Sequence, residues 1–293
     1  MTEENLPLTC PVCGEKSSSP PQLRIDGKTL RCPKNHCFDI SAKGYVNLLL
    51  SQHKNVKDPG DSKEMVAARR LFLDSGAYSE LRTALCEFAG KYSAEMENPL
   101  LLDCGCGEGY YTVGLYEAIQ PRGGRVFGVD ISKNALAAAH SRISAGGIRR
   151  DIFCAAASVF RLPLEDKCAD MAAVIFAPFQ REELLRTVKP GGVIITAIPG
   201  ERHLYGLKAL IYDQPRLNEV KPYDIPGMEL LEKREVHGML TLTDQELLNA
   251  LFTMTPYYYK TSPQDSNRLY SYFGTSDRFE TEIDFQVLCY RVK

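Results

Sequence analysis

The chain has 293 residues, 44% of them hydrophobic and 25% charged, and carries a formal net charge of −2 at pH 7. That length buries a full core with room for one large domain and a small module, and the composition excludes collagen-like, low-complexity and disordered chains. With no apolar run of about eighteen residues to span a membrane and no leader pattern, the ten cysteines predict reduced thiols in a cytoplasmic protein rather than a disulfide framework.

In chain order the first feature is Cys10-Pro11-Val12-Cys13, followed after eighteen residues by Cys32-Pro33-Lys34-Asn35-His36-Cys37. Two close pairs at that separation are the pattern of a zinc ribbon, each pair sitting on a knuckle. Cys10, Cys13 and Cys32 are the expected ligands, and spacing allows either His36 or Cys37 as the fourth. A redox C-x-x-C would explain the first pair but not the second. Four protein ligands leave no open position, which makes this Zn2+ structural. The expectation is that metal removal unfolds the module while the rest of the chain still binds its cofactor. Residues 22 to 57 carry a net charge of +5, leaving −7 elsewhere, which suits a polyanion at this end.

Gly44 to Leu50 is a short apolar run that reads as a strand or a seam between domains. A polar, turn-rich segment with Asp58-Pro59-Gly60 follows. Ser62 is placed to cap a helix containing Arg69 and Arg70, and a second helix is expected over 79–92. The domains are then 1–45 (zinc ribbon), 46–98 (linker loop and helices) and 99–293 (main domain).

The main domain opens on Leu100-Leu101-Leu102-Asp103-Cys104-Gly105-Cys106-Gly107-Glu108-Gly109, a strand breaking into a glycine-rich turn. Glycines at alternate positions let the backbone pass close under a ligand. A dinucleotide fingerprint would place its third glycine one residue later, at Tyr110. The order D-x-G-x-G-x-G with an acid ending the strand is instead the form of class I S-adenosylmethionine (SAM) methyltransferases. Asp103 and Glu108 suit a cationic sulfonium ligand better than a diphosphate. Asp130 ends the next strand, about twenty residues on, where a ribose diol is usually held.

Strands are expected at 100–105, 125–131, 151–156, 171–177 and 192–198, with helices starting near Tyr110, Ser132 and Gln180. A helix near 202–212, a loop-rich stretch, a helix over 243–252 and late strands at 256–260 and 282–291 complete the chain. This alternation predicts an α/β fold, a Rossmann-like seven-stranded methyltransferase sheet with helices on both faces. After the fourth strand, Phe176-Ala177-Pro178-Phe179 offers no side-chain oxygen for an exocyclic amine and no cysteine nucleophile. Direct in-line transfer to a ring nitrogen or oxygen remains, with catalysis mainly by positioning.

The zinc module, Lys43-Gly44-Tyr45-Val46-Asn47-Leu48-Leu49, Asp58-Pro59-Gly60-Asp61-Ser62, Ala68-Arg69-Arg70, the glycine turn and Pro199-Gly200-Glu201-Arg202-His203-Leu204 together resemble the bacterial large-subunit rRNA guanine-N1 methyltransferases. The resemblance spans nearly the whole chain. It implies methylation of guanine N1 in a hairpin loop of 23S rRNA, with SAM as donor, a structural zinc and a hairpin or ribosomal precursor as partner; members of the family can pair as homodimers, and the oligomeric state of this chain stays open. It also implies zinc ligands at Cys10, Cys13, Cys32 and His36, and cofactor contacts at Tyr78, Gly107, Glu108 and His203, beside the Asp103, Gly105, Gly109 and Asp130 of the pattern itself. Guanine N1 must lose a proton, and His203 and Glu201, following the fifth strand, are the candidate bases. His53, Lys54, Lys57, Arg69 and Arg70 are the expected RNA contacts. The rival readings are a small-molecule methyltransferase and a non-catalytic RNA-binding zinc protein.

Overall fold

A computed structural model describes residues 7–50, 59–148, 150–220 and 222–293. The N-terminal module holds the one-turn helix α1 (Pro11–Gly14) and a three-stranded antiparallel sheet of β1 (Arg24–Asp26), β2 (Thr29–Arg31) and β3 (Cys37–Asp39). β4 (Tyr45–Asn47) follows, then the helices α2 (Lys63–Asp74) and α3 (Ser79–Tyr92). As expected, Ser62 caps α2, its hydroxyl accepting the N–H of Met65 at 3.2 Å.

The main domain alternates β5 (Leu100–Cys104), α4 (Tyr110–Ile119), β6 (Arg125–Asp130), α5 (Lys133–Ala145), β7 (Ile152–Ala156), β8 (Ala169–Ile175), α6 (Arg181–Thr187) and β9 (Val188–Pro199). α7 (Tyr205–Ile211), β10 (Met228–Leu242), α8 (Gln245–Thr253), α9 (Pro263–Tyr270) and β11 (Phe279–Val292) complete it. The sheet runs β10-β11-β9-β8-β5-β6-β7-β4, and β11 alone runs antiparallel to the other strands. Order reverses between β5 and β8, the switch point at which such sheets bind ligands beyond the strands' carboxyl ends.

Seven of the strands make the expected sheet, and β4 adds an eighth. The short apolar run is therefore a strand of the main sheet, pairing Val46 with Ala155 and Asn47 with Ala156 of β7. The strand expected at 256–260 does not form. Pro256 has no N–H for a ladder, and the segment closes as turns, with Tyr258 N–H on Thr255 O and Lys260 N–H on Tyr257 O. The sixth strand is instead β10, within the stretch read as loop-rich.

Period-two alternation splits the core between the two sheet faces. Leu101, Val126 and Met171 pack with α3 and α4 on one face, while Leu102, Phe127, Val129 and Ala172 face the other. That second face is shared with Leu8, Cys10, Cys13, Leu30 and Cys32 of the N-terminal module. Backbone bonds from Thr9 N–H to Pro163 O and from Glu165 N–H to Pro7 O, both 2.9 Å, stitch the module to the chain between β7 and β8. An Arg161–Glu15 ion pair adds to them.

Candidate cofactor and metal sites

Cys10 precedes α1 and Cys13 lies within it, the knuckle closing through Gly14 N–H on Cys10 O at 2.9 Å. The second knuckle turns through Asn35, at φ +62°, with Cys32 N–H on His36 O at 3.0 Å. His36 Nδ1 then stands 3.4, 3.4 and 3.2 Å from the sulfurs of Cys10, Cys13 and Cys32. The four ligand atoms lie within 4.8 Å of one another. Bonds of about 2.3 Å to sulfur and about 2.0 Å to nitrogen give tetrahedral edges of roughly 3.5–3.8 Å, so this donor set fits Zn2+. Cys37 is exposed and lies 3.3 Å from Arg31 Nη1, outside the cluster.

At the carboxyl end of β5 the chain turns through Gly105, Gly107 and Gly109, at φ +85°, +55° and +88°. A Cβ on Gly105 would stand 2.5 Å from Ala177 Cβ, and one on Gly109 3.2 Å from Ala139, so both turns also need glycine for space. On Gly107 a Cβ would meet only Arg69 Nη1, at 3.9 Å. This loop is lashed to β6 by Asp130, whose Oδ2 accepts the Gly107 N–H at 2.9 Å and whose Oδ1 accepts the Ser132 N–H at 2.7 Å. Asp103 is buried beneath it and accepts from Thr112 Oγ1 at 2.7 Å. Burial, reinforced by the nearby Asp130 charge, pushes the Asp103 carboxyl up to about 7 despite the Thr112 bond.

Glu108 is buried as well, but its Oε2 is taken by Arg142, at 2.9 Å from Nε and 2.6 Å from Nη2. Its Oε1 is buried with no hydrogen-bond partner among the described residues. Tyr78 sits at the N-terminus of α3, edge-on to Phe72 and Phe285 with centroids 5.1 and 4.9 Å away, its hydroxyl 3.4 Å from His203 Nε2. His203 is buried against Phe285 on the turn after β9. The fold thus gathers Asp103, the glycine turn, Glu108 and Asp130 at the ends of β5 and β6, and joins Tyr78 to His203 beside them. Glu201, two residues before His203, is exposed.

Two family descriptions match the chain, "RlmA, N-terminal" over residues 8–57 and "Methyltransferase domain" over residues 101–192. A 23S rRNA (guanine(748)-N(1))-methyltransferase of Streptomyces fradiae is 31% identical over 273 residues, covering 89% of each chain. The chain belongs to this methyltransferase family. A demethylmenaquinone methyltransferase of Geobacillus stearothermophilus is 28% identical over only 118 residues, 38% of this chain and 50% of that one. A solved geranyl diphosphate methyltransferase in complex with SAM is 14% identical, covering 81% of this chain and 93% of that one at a TM-score of 0.45.

The methyltransferase uses SAM, and the residues present suit it. An unpartnered buried carboxylate oxygen on Glu108 and the ionisable Asp103 are of the right type to accept from the ammonium group of an amino-acid tail, and the face of Gly107 is open. The N-terminal Cys3His cluster fits its structural zinc. Two of the expected RNA contacts have partners within the chain. Arg69 pairs with Asp61 beside the glycine turn, and Arg70 lies 3.6 Å from Asp74 and 3.5 Å from Ala138 O, because α2 packs against α5 and α8. His53, Lys54 and Lys57 lie outside the described residues.

Several residues of the pocket escaped sequence reasoning. Asp61 accepts Ser132 Oγ at 2.8 Å and Asn134 Nδ2 at 3.3 Å through its carbonyl, so the Gly60-Asp61 turn rests on the loop carrying Asp130. Its signal was present in Asp58-Pro59-Gly60-Asp61-Ser62, which reads equally well as punctuation. Phe285, from the last strand, and Arg142, on α5, have no local signal because only the tertiary fold brings them to the pocket.

Proposed function

We propose that the protein transfers the methyl group of SAM to N1 of a guanine in a hairpin loop of 23S rRNA. One observation carries this reading: the likeness to the Streptomyces fradiae enzyme runs through both the zinc module and the methyltransferase domain, covering 89% of each chain. The likeness to the demethylmenaquinone methyltransferase extends over only 38% of this chain.

SAM supplies an electrophilic methyl group whose bond to sulfur breaks as the bond to guanine N1 forms, and the N1 proton must leave. In this reading Asp103 and Glu108 hold the ammonium group of the amino-acid tail, Asp130 the ribose, and the left-handed glycines bring backbone against the cofactor. Tyr78 and His203 form an apolar-sided wall. His203 serves there as a wall and not as the base: its Nδ1 is occupied by the Asp284 N–H at 3.4 Å, and burial, with Lys208 nearby, pulls its pKa down to about 3. The exposed carboxylate of Glu201 is the group left for the proton. The basic N-terminal segment, with His53, Lys54 and Lys57, holds the RNA backbone.

Primer extension on an unmodified 23S rRNA hairpin tests the proposal, since a methyl group on N1 blocks Watson–Crick pairing and stops reverse transcription. A SAM-dependent stop, with 1-methylguanosine found on nucleoside analysis, is expected. SAM turnover without a stop on either the hairpin or intact 23S rRNA would favour a small-molecule acceptor.

A further inference from the structure

Phe176 leaves β8 in a conformation bulky side chains rarely adopt, at φ +54°. The cause is local. Ala177 packs so closely under the glycine turn that a Cβ on Gly105 would lie 2.5 Å from its own Cβ. The chain must therefore turn sharply after Ile175, and that turn throws the Phe176 ring outward at the switch point between β5 and β8.

The ring does not serve the core, because it is 48% exposed. Nor is it loose. Phe285 and Tyr111 brace it, with centroids 5.4 and 6.3 Å away and planes at 47° and 68°. Phe285 in turn contacts Tyr78 and His203, so the exposed ring is continuous with the proposed cofactor wall. A strained, braced and exposed aromatic residue beside a ligand-binding turn calls for a partner with a flat apolar face. Bases splayed from RNA loops are such partners.

We infer that Phe176 is the stacking platform for the acceptor guanine, holding the base plane beside the glycine turn so that N1 faces the methyl donor. The inference rests on the RNA reading above. Removing a base-stacking aromatic side chain typically weakens binding by roughly ten- to a hundredfold, and the effect depends on the π face rather than on apolar volume.

The chain contains no tryptophan, so Phe176→Trp places a single indole at the platform. Titration with an unmodified 23S rRNA hairpin in the presence of S-adenosylhomocysteine should quench its fluorescence. The same hairpin with abasic sites at the loop guanines should bind without quenching. Equal quenching by both RNAs, or none while filter binding shows a complex, would overturn the inference. In case the indole disturbs folding, Phe176→Leu and Phe176→Tyr provide a second comparison. Leu should lower the single-turnover rate at sub-saturating RNA about tenfold or more and Tyr less than about threefold, with SAM affinity unchanged in both. An unchanged rate in Phe176→Leu alongside an active wild type defeats the platform alone, and weakened SAM binding would make the ring part of the cofactor wall instead. A wild type that modifies no guanine defeats the RNA reading and the platform together.

Discussion

His203 Nδ1 accepts the backbone N–H of Asp284 at 3.4 Å, which leaves its proton on Nε2, 3.4 Å from the Tyr78 hydroxyl. Burial, together with Lys208, holds its pKa at about 3, against about 6.5 in an unfolded chain. Between those values the unfolded chain binds a proton that the native protein refuses. The His203 contribution to stability is therefore present above about pH 6.5 and is lost as pH falls toward 3. On acidification from pH 7 to 4.5, wild type should lose urea stability faster than His203→Gln. Parallel curves would show that the imidazole is not held neutral.

The division of roles between His203 and Glu201 has its own kinetic signature. His203→Asn should weaken SAM binding by about fivefold, as expected for a lost wall contact of about 1 kcal/mol, with the single-turnover rate at saturating SAM within about twofold of wild type. Glu201→Gln should leave SAM affinity alone and slow methyl transfer by about a hundredfold near neutral pH. The reverse pattern would restore His203 as the base.

Asp103 titrates in the opposite sense. Its native pKa of about 7 exceeds the ordinary 3.8, so the native protein keeps a proton that the unfolded chain releases, and this contribution fades as pH rises from about 4 through 7. The ammonium group of the ligand, held beside Asp103, favours the carboxylate. SAM binding should therefore expel a proton near pH 6, and affinity should tighten as pH rises toward 7.5 and then level off. Calorimetry in buffers of different ionisation enthalpy would count the proton, and Asp103→Asn should abolish its release.

The zinc site is expected to matter beyond its own module. Sequence reading separates the two parts, with metal loss sparing the cofactor domain. The packing argues for the opposite outcome, because Cys10, Cys13 and Cys32 share one core with Leu102, Phe127 and Val129 of the main sheet. Chelation or Cys32→Ser should lower the melting temperature of the whole chain in one transition and reduce SAM binding with it. Two transitions, the later one unchanged, would return the domains to independence.

Arg142 joins Glu108 to Asp74, with 2.6 and 2.8 Å contacts from Nη2. The Glu108 side chain is 1% exposed, so removing its cation leaves a charge stranded in the core. Arg142→Leu should cost about 3 kcal/mol in chemical denaturation. Adding Glu108→Gln should recover part of that loss. Additive losses would mean that the pair is not coupled.

The central strands and the glycine turn were legible because apolar runs ending in Asp103 and Asp130 are local signals. β10 was not, since Met228–Leu242 is an edge strand with mostly exposed side chains, and a charged sequence such as Glu232-Lys233-Arg234-Glu235 shows no alternation. The tyrosine run at 257–259 misled for the opposite reason: its β-prone residues pack Tyr257 on Tyr212 and Tyr258 on Phe252 from turns. At the pocket, Tyr78 and His203 entered only through family resemblance. Their partner Phe285 lies over eighty residues further along the chain, beyond the reach of any local pattern.

The ladder at the sheet edge fixes a length. Asn47 pairs with Ala156, and Ala156 pairs with Asp130 across the next strand. Two strand spacings, about 10 Å, therefore separate the last residue of β4 from the acid at the proposed ribose site. Whatever grips a substrate at that edge is calibrated to the methyl donor by hydrogen-bond geometry, and a one-residue insertion within β4 would shift that calibration without touching any atom of the pocket.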